Sequence, residues 1–210
     1  MSNNLTRSGP GRPKDPAKRD AILAAATTLF LEQGYSGTSM DAIAAAAGVS
    51  KLTVYSHFKD KEALFAAAVE IKCQGQMPLP IFHFDQSQSV EQVLLRIARS
   101  FHELVTQDDA VNLMRLMAAQ AGQDQTMARL FFEVGPQKTL LDMERLLAEL
   151  GRRGLLRVAA PDRAADHFFS LIKGCHEMQV LIGCGEPMTA EEAEAHITDV
   201  VAMFLRAYAP

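Results

Sequence analysis

The chain is poor in cysteine. Its three thiols, Cys73, Cys175 and Cys184, include no C-x-x-C pair, which removes the usual zinc-ribbon spacing. An odd number in a chain expected in a reducing compartment argues against a disulfide framework, so free, buried thiols are expected. No apolar run approaches the roughly 18 residues that span a bilayer. The first twenty residues, MSNNLTRSGPGRPKDPAKRD, are polar and basic with no apolar centre, unlike a secretion signal. The expected setting is therefore the cytoplasm, with no membrane partner. No convincing strand alternation and no internal repeat interrupt the chain. Also missing are a Ser/His/Asp order, a glycine-rich phosphate loop and an H-E-x-x-H pair. His167, Cys175, His176 and Glu177 are close in sequence, but nine residues separate the two histidines, which places them on opposite sides of a helix. Neither enzymatic chemistry, a metal nor a cofactor is expected.

What is present describes a globular protein. Of 210 residues, 48% are hydrophobic and 22% charged, an ordinary balance for a folded chain of one large or two smaller domains. The net charge of -4 is unevenly divided. Residues 1–72 carry nine Lys/Arg against seven Asp/Glu, a balance of +2, and residues 73–210 carry twelve against eighteen, a balance of -6. Within residues 1–20 the balance is five against two, or +3. Basic charge gathered at one end suits a head that meets phosphates, while the acidic remainder stays away from them.

Helical periodicity covers almost the whole chain, so the fold class is all-α. Residues 1–16, broken by Gly9, Pro10, Gly11, Pro13 and Pro16, read as a basic flexible arm. From Ala17 onward, Ile22, Ala25, Ala26, Leu29 and Phe30 share one helical face, and Gly34 follows where a left-handed cap is wanted. Thr38 or Ser39 can cap a short second helix bearing Met40, Ile43, Ala44 and Ala47, which Gly48 ends. Ser50 can cap a third, Lys51 to His57, with Val54 and Phe58 turned inward. Asp60 can cap a fourth, 61–76, linking the 17–60 head to a body over 77–210. Met77 to Ser87, with two prolines, breaks the pattern, and the domain junction is expected there or just before it. The body then shows helices over 89–106, 109–121, a short piece near 127–132, Pro136 to about Arg153, 162–182 and 189–208. The last is expected to open on a Thr189–Glu192 capping box.

Two short helices joined through Gly48 have the form of a helix-turn-helix, whose second helix enters a major groove. The run Ser50-Lys51-Leu52-Thr53-Val54-Tyr55-Ser56-His57 mixes buried anchors with hydrogen-bonding groups, as a helix lying against phosphates and base edges requires. The stretch ILAAATTLFLEQGYSGTSMDAIAAAAGVSKLTVYSHFKDKEAL, Ile22 to Leu64, resembles the DNA-binding domain of tetracycline-repressor-type (TetR-family) regulators. The resemblance rests on Gly34-Tyr35, Thr38, Asp41-Ile43-Ala44, Ala47-Gly48-Val49-Ser50, Tyr55, His57-Phe58 and Lys61. It implies that Lys51, Leu52 and Thr53, after the Ser50 cap, face the groove, and that Thr38, Tyr55, His57 and Lys61 hold phosphates. Leu52 departs from the pattern, since that position is usually glycine. Its side chain can offer only apolar contact, for example with a thymine methyl. Tyr55 can equally be a core residue. In the arm, Gly11-Arg12-Pro13 resembles the centre of an AT-hook, which would carry Arg12 into a narrow minor groove; a disordered polar tail is the alternative.

From Arg115 to Gly183 the body resembles, more loosely, the AefR-like C-terminal domain of some members of that family, through Phe131, Gly135-Pro136, Leu147, Gly154-Leu155-Leu156, Phe168 and Leu181-Ile182-Gly183. The resemblance implies a ligand cavity, with Phe101, Met114, Met117, Phe131, Phe132, Met143, Phe168 and Leu171 as candidate walls. His102, Gln120 and His176 are candidate polar anchors. Each wall residue can equally be core. It also implies a homodimer through the last two helices, with a seam of Phe169, Ile172, Met178, Ile197, Val200, Val201 and Phe204. The expected function is a transcriptional regulator, a repressor of a roughly palindromic operator on double-stranded DNA, released by a small hydrophobic ligand. An activator on the same scaffold, or a helical enzyme with a vestigial head, are the rival readings.

Overall fold

The computed structural model describes residues 15–120 and 125–210, so Arg12 lies outside the described residues, as does the side chain of Gln120. All regular structure among the described residues is helical. The chain divides into two compact units, residues 1–64 and 65–210.

In the first unit, Pro16 opens α1 (Pro16–Gly37) and the Asp15 carboxylate accepts from the Ala17 amide at 3.1 Å, the arrangement of an N-cap followed by a first-turn proline. The helix breaks at Gly34, whose φ of 74° and ψ of 170° suit a residue without Cβ. This is an extended break and not the left-handed cap read from the sequence. Ser39 caps α2 (Met40–Ala46) by accepting from the Ala42 amide at 3.1 Å. Gly48, at φ 65°, turns the chain into α3 (Lys51–His57), which Ser50 caps through the Thr53 amide at 3.1 Å. Ile22, Ala26, Phe30, Ile43, Val54, Phe58 and Leu64 close the core of this unit. Each large apolar side chain so buried contributes about 1.5–3 kcal/mol.

Helix α4 (Lys61–Gln76) opens on Asp60, whose carboxylate accepts from the Ala63 amide at 2.8 Å. The boundary between units falls inside it, after Leu64, upstream of the Met77–Ser87 break expected from the sequence. The reason is packing. Val69 and Met77 are buried with the second unit, and Val69 and Cys73 crowd Gly135, where an added Cβ would meet them at 3.2–3.3 Å. The proline-rich break itself forms a 3-10 turn over Leu79–Phe82, with Ile81 and Phe82 turned into the core.

The second unit is a helical bundle around α5 (Val90–Thr106), started by a Ser89–Gln92 capping box. It continues with α6 (Asp108–Gln120), α7 (Gln125–Val134), α8 (Pro136–Arg152), α9 (Pro161–Ile182) and α10 (Ala190–Ala207). Helix α7 extends further than the 127–132 piece read from the sequence. Val93, Leu94, Ile97 and Phe101 of α5 meet Met143, Leu147 and Leu150 of α8, Phe168, Phe169 and Ile172 of α9, and Ile197, Val201 and Phe204 of α10 in one cluster. An aromatic chain threads it, Phe101–Phe169–Phe168–Phe204–Tyr208, with ring centroids 4.4, 5.5, 5.1 and 4.5 Å apart. Tilted and edge-on pairs of this kind each contribute about 0.5–1.5 kcal/mol beyond their buried area. Helix α9, expected to be continuous, is broken at Gly174 (φ 60°, ψ -174°) and ends on left-handed Gly183 (φ 77°, ψ 22°).

The thiols correct one expectation. All three are free, but Cys175 and Cys184 are exposed and Cys73 is half-buried. Burial pushes the Cys73 thiol up from its ordinary range.

Candidate nucleic-acid interface and effector region

Helix α3 is seven residues long and is held from one side only. Val54 is fully buried and Phe58, just past its end, lies under the Arg19 guanidinium at 5.3 Å. With those anchors inward, the 3.6-residue repeat turns Lys51, Leu52, Tyr55 and Ser56 outward, and all four are exposed. Leu52 is 80% exposed and Tyr55 44%. The Ser50 and Thr53 hydroxyls hydrogen-bond each other at 2.8 Å at the helix start. His57 is half-buried beside Phe58, ring centroids 6.5 Å apart.

Two further contacts at this face were not read from the sequence. Lys51 Nζ donates to Asp41 of α2 at 2.9 Å, and that hydrogen bond and charge hold the lysine above its ordinary pKa. Ser56 donates back to the Thr53 carbonyl at 2.7 Å. Its exposure was recoverable from spacing, since it lies four residues after Leu52. The Asp41 pairing was not, because ten residues and a turn separate the partners.

Thr38 lies away from this exposed face. Its side chain is 1% exposed, and its hydroxyl donates into the Gly34 carbonyl at 2.7 Å and the Leu29 carbonyl at 3.0 Å. It ties off the broken end of α1. Lys61 is similarly occupied: Nζ donates to the Tyr35 carbonyl at 2.8 Å and the Thr38 carbonyl at 2.9 Å, and lies 4.1 Å from the Tyr35 ring centroid. Partial burial pushes its pKa down. The ammonium adds to the capping of the end of α1, where the Tyr35 carbonyl also accepts from the Thr38 amide at 3.2 Å.

In the second unit, the candidate wall residues have different fates. Met143 and Phe168 are fully buried in the central cluster, and Phe101 joins them against Phe169. Met117 is buried, Met114 and Phe131 are half-buried, and Leu171 and Phe132 are exposed. His102 and His176 are half-buried. The pKa of His102 is pushed down by burial and then by the nearby His196 and His176. Among the described residues, no group of three His, Cys, Asp or Glu side chains is placed to hold a metal ion. No described helix is long and apolar enough to cross a membrane.

The expected dimer seam is a second correction. Phe169, Ile172, Ile197, Val200, Val201 and Phe204 are all buried within one chain, so they are core. Of that set only Met178 is exposed, and the other exposed large apolar residues of α9 and α10 are Leu171, Ile182 and Met203.

A capped three-helix head with an outward polar helix, followed by an all-helical body, defines the class of helix-turn-helix regulators. Comparison with known proteins gives the family. Residues 22–68 match the profile of bacterial regulatory proteins of the tetR family, and residues 92–210 that of the AefR-like transcriptional repressor C-terminal domain. The chain belongs to the TetR family of bacterial transcriptional regulators, a family of regulators and not of enzymes. It is 36% identical to the flavonoid-responsive regulator FrrA over 93% of this chain and 99% of that one, with a TM-score of 0.76. A TetR-family regulator from Mesorhizobium loti is 29% identical over 94% and 99%, with a TM-score of 0.77. SmeT, solved as a complex with triclosan, is 30% identical over 91% of each chain, with a TM-score of 0.60. The chain spans about half the length, or less, of the curated relatives it matches.

Proposed function

We propose that this protein is a homodimeric repressor that binds a roughly palindromic operator and leaves it when a small aromatic ligand enters the second unit. The observation that carries the reading is the outward face of α3. A helix fixed by the Ser50 cap and the Val54 and Phe58 anchors leaves Lys51, Leu52, Tyr55 and Ser56 uncovered. In the groove, Lys51 reaches a guanine edge or a phosphate, Leu52 a thymine methyl, and Thr53, Tyr55 and His57 flanking groups. Arg12 reaches the adjacent minor groove. The exposed apolar residues of α9 and α10 form the contact between two copies, which sets the two α3 helices about one turn of DNA apart.

An aromatic effector follows from the relatives, one flavonoid-responsive and one in complex with triclosan. The Met and Phe side chains of α5 to α9 offer a deformable apolar surface for it. Helix α4 is the transmitting element, because it runs unbroken from one unit into the other. A coupling of about 1–3 kcal/mol between ligand and operator is enough to change occupancy five-fold or more.

The test is fluorescence anisotropy on duplexes selected from a random pool. Lys51→Ala is expected to lower the preference for the selected sequence, Tyr55→Ala to weaken binding to every duplex alike, and an aromatic effector to release the wild-type protein. A wild-type protein with no salt-sensitive preference for any duplex refutes the reading.

A further inference from the structure

The break in α9 is unusual for its position. Gly174 interrupts a 22-residue helix in the middle, with φ at 60° and ψ at -174°, and kinks of this kind interrupt the backbone ladder at glycine. His196 of α10 lies in the break. Its Nε2 is 3.0 Å from the Ile172 carbonyl, and its ring would be 3.4 Å from a Cβ placed on Gly174. A carbonyl only accepts, so His196 Nε2 carries the proton and donates. Two residues beyond the break sits His176, whose Nε2 is buried and has no hydrogen-bond partner. An unsatisfied buried imidazole nitrogen calls for a partner that the folded chain does not itself supply.

Where that partner comes from is constrained. His176 Nε2 is already covered within a single chain, so a second copy docking on the outside of α9 cannot reach it. A small molecule entering beside the exposed Gly174 can. The neighbourhood also selects for charge. Glu192, on α10, is within electrostatic reach of His176, Glu177 is paired with Lys173, and Glu194 with Arg99. An anionic ligand would face the Glu192 carboxylate, which the Thr189 amide and hydroxyl hold in the α10 capping box without cancelling its charge. An imidazole nitrogen is a donor in one tautomer and an acceptor in the other, and a neutral hydroxyl serves both.

We propose that the Gly174 break is the polar seat of the effector site, where His176 Nε2 hydrogen-bonds the hydroxyl of a neutral phenolic ligand while His196 holds the break open. The seat rests on the effector reading above and narrows it to a chemical group and an atom. His102 of α5 belongs to the same neighbourhood, since burial and the two other histidines together hold it toward the neutral form.

The experiment uses the full-length protein, 15N-labelled, with phenol as the probe and toluene as its hydroxyl-free match. Long-range proton–nitrogen spectra report each imidazole nitrogen separately. Phenol is expected to move the His176 Nε2 resonance, and toluene at equal concentration to leave it in place. His176→Phe is expected to weaken phenol about ten-fold, the effect of one buried hydrogen bond, and to leave toluene unchanged. His176→Gln, which keeps a donor and an acceptor, is expected to recover part of the loss. The proposal is overturned if phenol leaves His176 unmoved, which would assign the nitrogen to a water only. It is equally overturned if toluene moves it as far, or if phenol binds both variants as it binds wild type. Release of operator by effectors is measured separately, so a repressor controlled elsewhere would show release with a silent His176.

Discussion

Lys61→Met separates two roles for one lysine. The substitution keeps the length of the side chain and removes the ammonium that bonds the Tyr35 and Thr38 carbonyls at 2.8 and 2.9 Å. A hydrogen bond to a charged group contributes about 1.5–3 kcal/mol when well shielded. Lys61 is only partly buried, so water replaces part of that interaction, and a total loss of about 2 kcal/mol is the appropriate scale. The first unit is small, and about 1 kcal/mol moves the midpoint of such a unit by roughly 4–8 °C. Its melting temperature is therefore expected to fall by about 10 °C, measured by circular dichroism on the full chain. Operator binding is then followed against salt well below that temperature. If Lys61 only braces the head, the slope of log Kd against log salt is unchanged. If it neutralises a phosphate, the slope falls by about 0.9 per site and about 1.8 per dimer. Full thermal stability together with the reduced slope would refute the bracing role that the geometry assigns.

Three other outcomes are expected. Asp41→Asn frees Lys51 from its 2.9 Å partner and removes an acidic group from the face of α3, so duplex affinity at low salt rises severalfold with the melting temperature unchanged; unchanged or weaker binding would count against that face meeting DNA. Thr189→Ala removes the hydroxyl that accepts from the Glu192 amide in the α10 capping box and is expected to cost about 1 kcal/mol in urea denaturation. For His102, burial and then His196 and His176 depress the folded pKa below the ordinary 6.5. The unfolded chain therefore binds the proton more readily, so stability is highest above 6.5 and falls as pH drops from there toward the lowered folded value. His102→Gln removes that contribution, and a variant losing stability between pH 7 and 5 as steeply as wild type would contradict it.

The helix ends were legible because they are local. Ser39, Ser50, Ser89 and Thr189 each accept from an amide two or three positions into the helix that follows. Pro136 opens a helix, and Gly48 and Gly154 take positive φ beyond the ends of others, whereas Pro16, read as part of the arm, opens α1. Such signals need only a few neighbouring residues, and with the apolar period they determine the number and order of the main helices. The outward face of α3 follows in the same way once Val54 and Phe58 are recognised as anchors.

Tertiary structure decided what lies across from each face. Periodicity identifies the apolar sides of α9 and α10 but not whether the same chain or a copy covers them, and the fold assigns Phe169, Ile172, Ile197 and Phe204 to its own interior. It gave the Thr38 hydroxyl a carbonyl nine residues away, and gave Lys61 two carbonyls more than twenty residues away. It also broke α9 at Gly174, where spacing alone reads a continuous helix, because His196 from α10 occupies the Ile172 carbonyl. Sequence fixes which groups can bond and where helices stop; packing selects the partners, since that choice depends on residues far apart along the chain.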